Sequence, residues 1–331
     1  MLKQKIIRLS VLFATAAGII SLIYYGYAPS VAPPTNHATL QEITLQVGER
    51  QRNYSLYIPK QLAEHTPVVF MLHGSMQSVA DIREFSGYQF EQLAKQHGFV
   101  LVYPSGYGNH WNDCRKIASY TARTENIDDL GFIDAIRQQL HTRLGTDLNK
   151  TFIAGYSNGG QLAFRFALER PNSVAAIAAI AANLPSTSNL DCIESGVAVP
   201  VLMMNGSEDP VNPYYGGQAS LFGFGARGDV KSAVTSAEYF ANLAGYRGSP
   251  SEIKHFKNTQ ANDPTSSKYY AWRDRSRPEV ILYTITDGGH VIPQPIYRPP
   301  RLLGLTSLEI NGPEEIWAFF ARQLAKQQQS K

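Results

Sequence analysis

Residues 151–160 read Thr-Phe-Ile-Ala-Gly-Tyr-Ser-Asn-Gly-Gly, and this stretch decides the fold. Its centre, residues 155–159, fits G-x-S-x-G, a pattern typical of a sharp strand-to-helix turn that exposes a serine. The apolar run before it predicts a buried strand, and residues 161–168, followed by Pro171, predict a helix. Glycines flank Ser157 because larger side chains would collide with the neighbouring strand and helix. A glycine-rich turn in a non-catalytic protein is the alternative interpretation.

The composition is that of an ordinary globular protein. The chain has 331 residues, of which 44% are hydrophobic and 17% are charged. This length suffices for one large α/β domain or two small ones. The formal net charge is +3, and no run of five or more basic residues occurs. Nucleic acid is therefore not predicted as a partner.

The N-terminus has the features of an export segment. Lys3, Lys5 and Arg8 precede an apolar stretch over residues 9–28. That order is typical of a secretory signal, but the stretch approaches the length of a membrane span. We predict that residues 1–28 are a signal peptide or an uncleaved N-terminal membrane anchor, followed by a linker over residues 29–40. The protein is then secreted, periplasmic or anchored to the outer face of the membrane.

Strands and helices alternate along the rest of the chain. A hairpin is predicted around residues 48–50, where apolar residues alternate on both sides. Further strands are predicted over residues 67–72, 99–103, 174–181, 199–204 and 280–285, and further helices over residues 81–97, 128–144, 232–244 and 314–327. This order predicts one α/β domain over residues 41–331, with a mainly parallel, doubly wound sheet covered by helices on both faces. The functional site of such a sheet lies at the carboxyl ends of its strands.

The two cysteines of the chain fall in predicted loops over that edge. They are Cys114 and Cys192. In an exported protein an even number of cysteines permits a disulfide. We predict this bridge, and two free buried thiols are the alternative.

A serine nucleophile needs a base and an acid that orients it. In this kind of fold the acid and then the histidine follow the serine along the chain. Of the eight histidines only His255 and His290 lie beyond the predicted acid. His290 follows the last predicted strand in a glycine-rich loop, whereas His255 lies in an alternating segment, so His290 is predicted as the base. Asp209, just after the strand over residues 199–204, is the predicted acid, with Glu208 as the alternative.

Acyl transfer also requires donors for the developing oxyanion. The backbone N–H of Asn158, directly after the nucleophile, is the first candidate. The second candidate is the N–H of Ser75, in the loop after the strand over residues 67–72. His73 in the same loop is predicted to be structural. This chemistry requires neither a metal nor an organic cofactor.

Several short segments carry a resemblance to a known family. They occur in order at residues 72–74, 98–104, 111–113, 128–132, 155–160, 209–214 and 288–290. From about residue 48 to residue 323 the chain resembles the secreted esterases of the polyhydroxybutyrate depolymerase and feruloyl esterase type. These are similar to carbohydrate esterase family one, of the α/β-hydrolase superfamily.

The resemblance implies the same three residues, Ser157, Asp209 and His290. It also implies that Trp111, Tyr214 and Tyr215 are walls of a substrate cleft. The family often has Trp-Pro-Gly shortly after the histidine, where this chain has Val-Ile-Pro at residues 291–293. Extracellular depolymerases of this type usually have a separate substrate-binding domain as well, and we expect none here. Both expected departures weaken the case for a solid polyester as the substrate.

The expected function is that of a serine carboxylic-ester hydrolase. Its partner would be a small or oligomeric ester, of the feruloyl, short-acyl or hydroxybutyrate kind. A serine peptidase of the same fold is the alternative among enzymes. A non-catalytic exported binding protein is the alternative from another class. The sequence predicts no oligomeric state.

Overall fold

A computed structural model describes residues 23–33, 40–256 and 261–329, together with Thr15, Gly18 and Ser21. Most of the expected leader over residues 1–28 and much of the expected linker lie outside the described residues. The part of the linker that is described contacts the body of the protein, since Ser30 Oγ and the N–H of Val31 both donate to Glu84. Among the described residues, no helix is both long enough and apolar enough to cross a membrane.

The strands found in the described residues number twelve. They are β1 (Gln41–Val47), β2 (Arg50–Tyr57), β3 (Val68–Leu72), β4 (Val100–Pro104), β5 (Thr151–Tyr156), β6 (Ala176–Ile180), β7 (Val201–Gly206), β8 (Gly217–Gln218), β9 (Asp229–Val230), β10 (Glu252–His255), β11 (Ser266–Trp272) and β12 (Val280–Thr286). Ten of them form one sheet in the order β1-β2-β4-β3-β5-β6-β7-β12-β11-β10. The six central strands, from β4 to β12, are parallel, and antiparallel strands extend the sheet at both edges.

Helices cover both faces of this sheet. They are α1 (Val79–Phe85), α2 (Gln89–His97), α3 (Thr121–Thr124), α4 (Asp129–Leu144), α5 (Asn158–Glu169), α6 (Ala233–Leu243) and α7 (Gly312–Gln329). Apolar residues of α4, α5 and α6 pack on one face, and those of α1, α2 and α7 pack on the other. Because both faces are covered, every residue of β3, β4, β5, β6 and β7 is buried. The predicted doubly wound architecture is confirmed.

Several predicted boundaries are also confirmed, and one helix is not. Helix α6 begins after Ser232, whose side chain accepts a hydrogen bond from the N–H of Thr235, as an N-cap does. The single helix predicted over residues 81–97 is wrong. The chain breaks it into α1 and α2 at Gly87 and Tyr88, which both have left-handed backbone angles, with φ of 63° and 57°. A helix cannot continue through two such residues.

Candidate active site

Ser157 occupies the tight turn between β5 and α5. Its backbone has φ 53° and ψ −115°, a region that costs a non-glycine residue about 1–3 kcal/mol. The turn is held by a 2.8 Å hydrogen bond from the Ser157 N–H to the carbonyl of Ile180. A Cβ at Gly155 would lie 2.2 Å from the carbonyl oxygen of Gly159, and one at Gly159 would lie 2.5 Å from that of Leu72. The two glycines are therefore required by the close approach of helix and strand.

Ser157, His290 and Asp209 lie in one hydrogen-bonded chain. His290 Nε2 is 2.9 Å from Ser157 Oγ, and His290 Nδ1 is 2.7 Å from Asp209 Oδ2. An ionised carboxylate only accepts hydrogen bonds, so Nδ1 carries the proton and Nε2 presents a lone pair to the serine hydroxyl. The structure thus brings together the three residues that chain order selects. They follow β5, β7 and β12, at the carboxyl ends of parallel strands of the central sheet.

Backbone and side-chain contacts fix both partners of the serine. Asp209 Oδ1 accepts hydrogen bonds of 2.8 Å and 2.7 Å from the N–H groups of Val211 and Asn212. The hydroxyl of Tyr156 donates a 2.7 Å hydrogen bond to the carbonyl of His290. Burial, followed by the nearby carboxylate of Asp209, raises the pKa of Tyr156 well above its usual value. The Tyr156 hydroxyl therefore stays protonated, and able to donate this hydrogen bond, at physiological pH.

The rejected alternatives lie elsewhere. The side chain of Glu208 is exposed, and its backbone N–H donates to the carbonyl of Gly288. His255 is exposed on β10, at the far edge of the sheet. Neither residue appears among the hydrogen-bond partners of Ser157 or His290 in the described part of the chain.

The two backbone donors predicted for the oxyanion belong to residues close to Ser157. Ser75 and Ser157 line the same small pocket, and Asn158 is the first residue of α5. Within the described residues, no acceptor is found for the N–H of Ser75 or Asn158. The N-terminus of α5 adds its partial positive charge at this point. Both N–H groups are thus available to an oxyanion formed at Ser157.

The side chain of Asn158 holds a buried loop against the site. Its Oδ1 accepts a 2.8 Å hydrogen bond from the N–H of Trp111, and its Nδ2 donates to Asp113 Oδ2 at 2.6 Å. Asp113 also pairs with Arg115 at 2.5 Å and accepts a short hydrogen bond from Tyr120. Burial alone would disfavour the Asp113 carboxylate, but Arg115 and these hydrogen bonds together lower its pKa below the usual value. The charge of Arg115 is therefore matched by a permanent anion.

The predicted disulfide closes this loop. Cys114, between Asp113 and Arg115, is bonded to Cys192, and their Cα atoms are 5.1 Å apart. The bridge joins the loop after β4 to the loop after β6.

His73 has the structural role that the sequence predicts. Its Nε2 accepts a 2.9 Å hydrogen bond from the N–H of Gly106, so Nδ1 carries the proton and donates to the carbonyl of Gly74 at 2.7 Å. The ring is 1% exposed, and burial lowers the pKa of His73 to about 4. The ring of Trp111 packs against this ring at a tilt of 38°, with a centroid separation of 4.8 Å. Both side chains hydrogen-bond to the backbone of residues 73 and 74, and so they support the loop that contains Ser75.

The three residues expected to form cleft walls differ in exposure. The side chain of Trp111 is fully buried and donates to the carbonyl of His73, so the expectation that it contacts substrate is corrected to a supporting role. Tyr214 is also buried, and its hydroxyl is bonded to Thr284 Oγ1 at 2.7 Å. Of the three residues, only Tyr215 is exposed to solvent, at 76%.

A small polar pocket beside the serine was not predicted. Its lining residues are Ser75, Arg115, Ser157, Gln161, Ala181, Val211, Asn212, Ala219 and Arg227. Asn212 belongs to the segment 209–214 that carries the family resemblance, which could have indicated it. Gln161 lies on a predicted helix and Arg227 in a glycine-rich loop, and no local pattern marks either residue. Within the described residues, no group of three or more His, Cys, Asp or Glu side chains could hold a metal ion.

The chain is similar to several known esterases. Residues 55–221 match the model of a phospholipase/carboxylesterase family. NocK of Nocardia uniformis subsp. tsuyamanensis, assigned as an esterase, is 26% identical over 295 residues, covering 86% of this chain and 83% of NocK. Feruloyl esterase B of Thermothelomyces thermophilus is 32% identical over 142 residues, which are 41% of this chain and 46% of that enzyme.

A solved structure shares the fold. Acetyl xylan esterase from Aspergillus awamori superimposes with a TM-score of 0.55, covering 85% of this chain and 98% of that one, at 17% identity. At this identity the likeness concerns the fold alone. Together with the family match and the parallel sheet, it confirms the α/β-hydrolase fold.

Proposed function

The chain belongs to the phospholipase/carboxylesterase family, and from this premise we propose that it hydrolyses carboxylic esters with Ser157 as nucleophile. The observation that carries the proposal is the pair of hydrogen bonds from His290 to Ser157 Oγ and to Asp209 Oδ2, of 2.9 Å and 2.7 Å. Nucleophile, base and orienting acid are thereby within the reach that acyl transfer requires.

The first half of the reaction acylates the serine. Ser157 Oγ bonds to the ester carbonyl carbon while His290 Nε2 takes the hydroxyl proton. The carbonyl oxygen becomes an oxyanion, which the N–H groups of Ser75 and Asn158 stabilise. Asp209 stabilises the imidazolium through Nδ1–H. The carbon–oxygen bond to the alcohol then breaks, and His290 Nε2–H gives its proton to the departing alcohol.

The second half releases the acid. A water molecule attacks the acyl carbon while His290 Nε2 takes one of its protons. The second tetrahedral intermediate collapses, the bond to Ser157 Oγ breaks, and His290 returns the proton to the serine. The products are a carboxylic acid and an alcohol, and the enzyme is restored with no cofactor consumed.

We propose that the substrates are small or oligomeric esters, of the feruloyl, short-acyl or hydroxybutyrate kind. The similarity to a feruloyl esterase supports the feruloyl part of this range. We also propose that the protein is exported. The Cys114–Cys192 bridge supports export, because disulfides persist mainly in oxidising compartments. The charged and then apolar order of the first 28 residues supports it as well.

The test is hydrolysis of a short-chain nitrophenyl ester by the wild-type protein and by Ser157→Ala. We expect the variant to lose the activity and to lose labelling by a fluorophosphonate probe. Activity retained in pure Ser157→Ala would contradict the proposal. Absence of labelling in the folded wild-type protein would instead favour a binding protein. A peptide panel assayed in parallel separates esterase from peptidase.

A further inference from the structure

The pocket beside Ser157 contains an arginine whose charge is not matched. Arg115 and Arg227 both line it, but only Arg115 has an acidic partner, Asp113. Within the described residues, the guanidinium of Arg227 forms neither an ion pair nor a hydrogen bond. Because arginine stays protonated in proteins, the pocket carries a net positive charge next to the nucleophile.

The backbone of Arg227 is nevertheless firmly held. Its N–H donates to the carbonyl of Ala219 at 2.8 Å, and its carbonyl accepts from Asn189 Nδ2 at 2.9 Å. The same Asn189 accepts a hydrogen bond from the N–H of Ile117, near the disulfide. The guanidinium therefore projects from an anchored segment. Burial, and then the charge of Arg115, lower the pKa of Arg227. A bound anion would relieve this unfavourable environment.

Two further side chains of the pocket have unused hydrogen-bonding capacity. Gln161 is 1% exposed, and its Nε2 donates to the carbonyl of Asn183, but its Oε1 has no partner in the described residues. Asn212 is 5% exposed, and its Nδ2 is also without a partner there. Unpaired buried polar groups cost about 1–3 kcal/mol each, so an arrangement that retains two of them in one pocket favours a polar occupant.

The position of the pocket indicates that it binds the acyl half of an ester and not the alcohol half. His290 protonates the departing alcohol, and His290 does not line the pocket. Ser157 and the proposed oxyanion donor Ser75 do line it. The pocket is also small, with about 10 Å³ open to the centre of a water-sized molecule, which is room for about one water. The empty space among the lining residues is about 250 Å³ when its opening to solvent is included, so a short acyl group extends out of the enclosed part, with its far end toward the half-exposed Arg227.

We propose that this pocket binds an acyl group ending in a carboxylate, with Arg227 as the charged partner and Asn212 Nδ2 as a second donor. The preferred substrates are then monoesters of short dicarboxylic acids. The inference rests on the proposed ester hydrolysis and deepens it. Arg227 acts here as a specificity-determining residue, since a guanidinium binds carboxylates through paired, charge-assisted hydrogen bonds.

The experiment compares kcat/KM for monoethyl succinate and monoethyl glutarate with that for the neutral ethyl pentanoate. The variants are Arg227→Met, which removes the charge at similar length, and Arg227→Lys, which keeps it. Arg275→Met is the matched control, since Arg275 is exposed between β11 and β12 at the opposite edge of the sheet. Release of ethanol measures all three esters in the same way.

We expect the wild-type enzyme to prefer an anionic ester at least about tenfold, the effect of one charge-assisted contact. Arg227→Met should lower that preference at least about tenfold while changing the rate on ethyl pentanoate less than about threefold. Arg227→Lys should lose less of the preference for the anionic ester than Arg227→Met does. Arg275→Met should keep the wild-type preference. Retained activity on ethyl pentanoate also shows that each variant is folded.

Three outcomes would overturn the inference. The first is Ser157-dependent cleavage of ethyl pentanoate without preference for either anionic ester, which leaves the proposed function intact. The second is a preference that Arg227→Met does not change. The third is an Arg227-dependent preference for 3-acetoxypropanoate over propyl acetate, since this would place the carboxylate on the alcohol side. If no ester is cleaved and the fluorophosphonate does not react, the proposed function fails, and the inference fails with it.

Discussion

The hydroxyl of Tyr156 lies 2.7 Å from the backbone carbonyl oxygen of His290, and it donates a hydrogen bond to it. The residue before the nucleophile thus positions the backbone of the proposed base. The rings of the two residues are also in contact, with centroids 5.2 Å apart. These contacts tie the end of β5 to the His290 loop and thereby hold Ser157 and His290 in a fixed relation.

Tyr156→Phe is expected to lower kcat about fivefold, with little change in KM, because one hydrogen bond of about 1 kcal/mol no longer fixes His290. Tyr283→Phe is the control. Tyr283 is equally buried, and its hydroxyl donates to Glu315 at 2.6 Å, away from the site. Both variants should lose stability, but only Tyr156→Phe should lose turnover. Equal turnover in the two variants would show that Tyr156 does not position the base.

Asp209→Asn should lower kcat by about three to four orders of magnitude, because an amide neither holds the required tautomer of His290 nor stabilises its cation. Steady-state rates on a short-chain nitrophenyl ester measure the effect. Glu208→Gln is the matched control, since Glu208 is the adjacent acid and is exposed. It should retain activity within about twofold, as surface substitutions away from such sites usually do. A larger loss in Glu208→Gln than in Asp209→Asn would reverse the assignment of the acid.

Much of this site could be predicted because it depends on local patterns. The elbow is encoded in five consecutive residues, and the partners of Ser157 each follow a recognisable apolar strand. Parallel strands then place these loops at one edge of the sheet whatever lies between them. No long-range contact had to be foreseen to select Asp209 and His290.

The remaining features depend on contacts that no local pattern contains. Strand β11 is not predicted, and for β10 the sequence shows only the alternating segment around His255, since both strands pair antiparallel at the far edge of the sheet, outside the alternation of strand and helix. Trp111 looks like a cleft residue, but Asn158 and His73 bind it in the interior. The backbone of Arg227 is held at the pocket by Ala219 and by Asn189, which is 38 residues away in sequence.

Stability should depend on pH through His73. Burial holds the folded-state pKa of His73 at about 4, below the usual histidine value of 6.5, so between these values the unfolded chain binds the additional proton. The contribution is fully present above pH 6.5 and is lost as the pH falls toward 4. The loss amounts to about 3 kcal/mol in the free energy of unfolding.

Urea unfolding at several pH values measures this dependence. His73→Gln should be less stable than the wild-type protein at pH 7 but should show a flatter dependence between pH 6.5 and 4, because the titrating group is absent. His65→Gln, which replaces an exposed histidine, should keep the wild-type slope. An unchanged slope in His73→Gln would mean that other groups cause the acid sensitivity.

The Cys114–Cys192 bridge should contribute to stability through the unfolded chain. The two residues are 78 positions apart, and closing a long loop typically stabilises a protein by about 2–4 kcal/mol. The double variant Cys114→Ser/Cys192→Ser should lose this amount in urea unfolding. Adding a thiol reductant should destabilise the wild-type protein and leave the double variant unchanged.

Loss of the bridge should affect activity less than stability. Cys114 adjoins Asp113, which holds the Asn158 side chain, but Asn158 also bonds to the backbone of Trp111 independently of the disulfide. The double variant is therefore expected to hydrolyse esters at low temperature and to inactivate at lower temperature than the wild type. If it is fully inactive while still folded by circular dichroism, the bridge positions the oxyanion donors directly. If its unfolding free energy equals that of the wild type, the loop contributes no constraint.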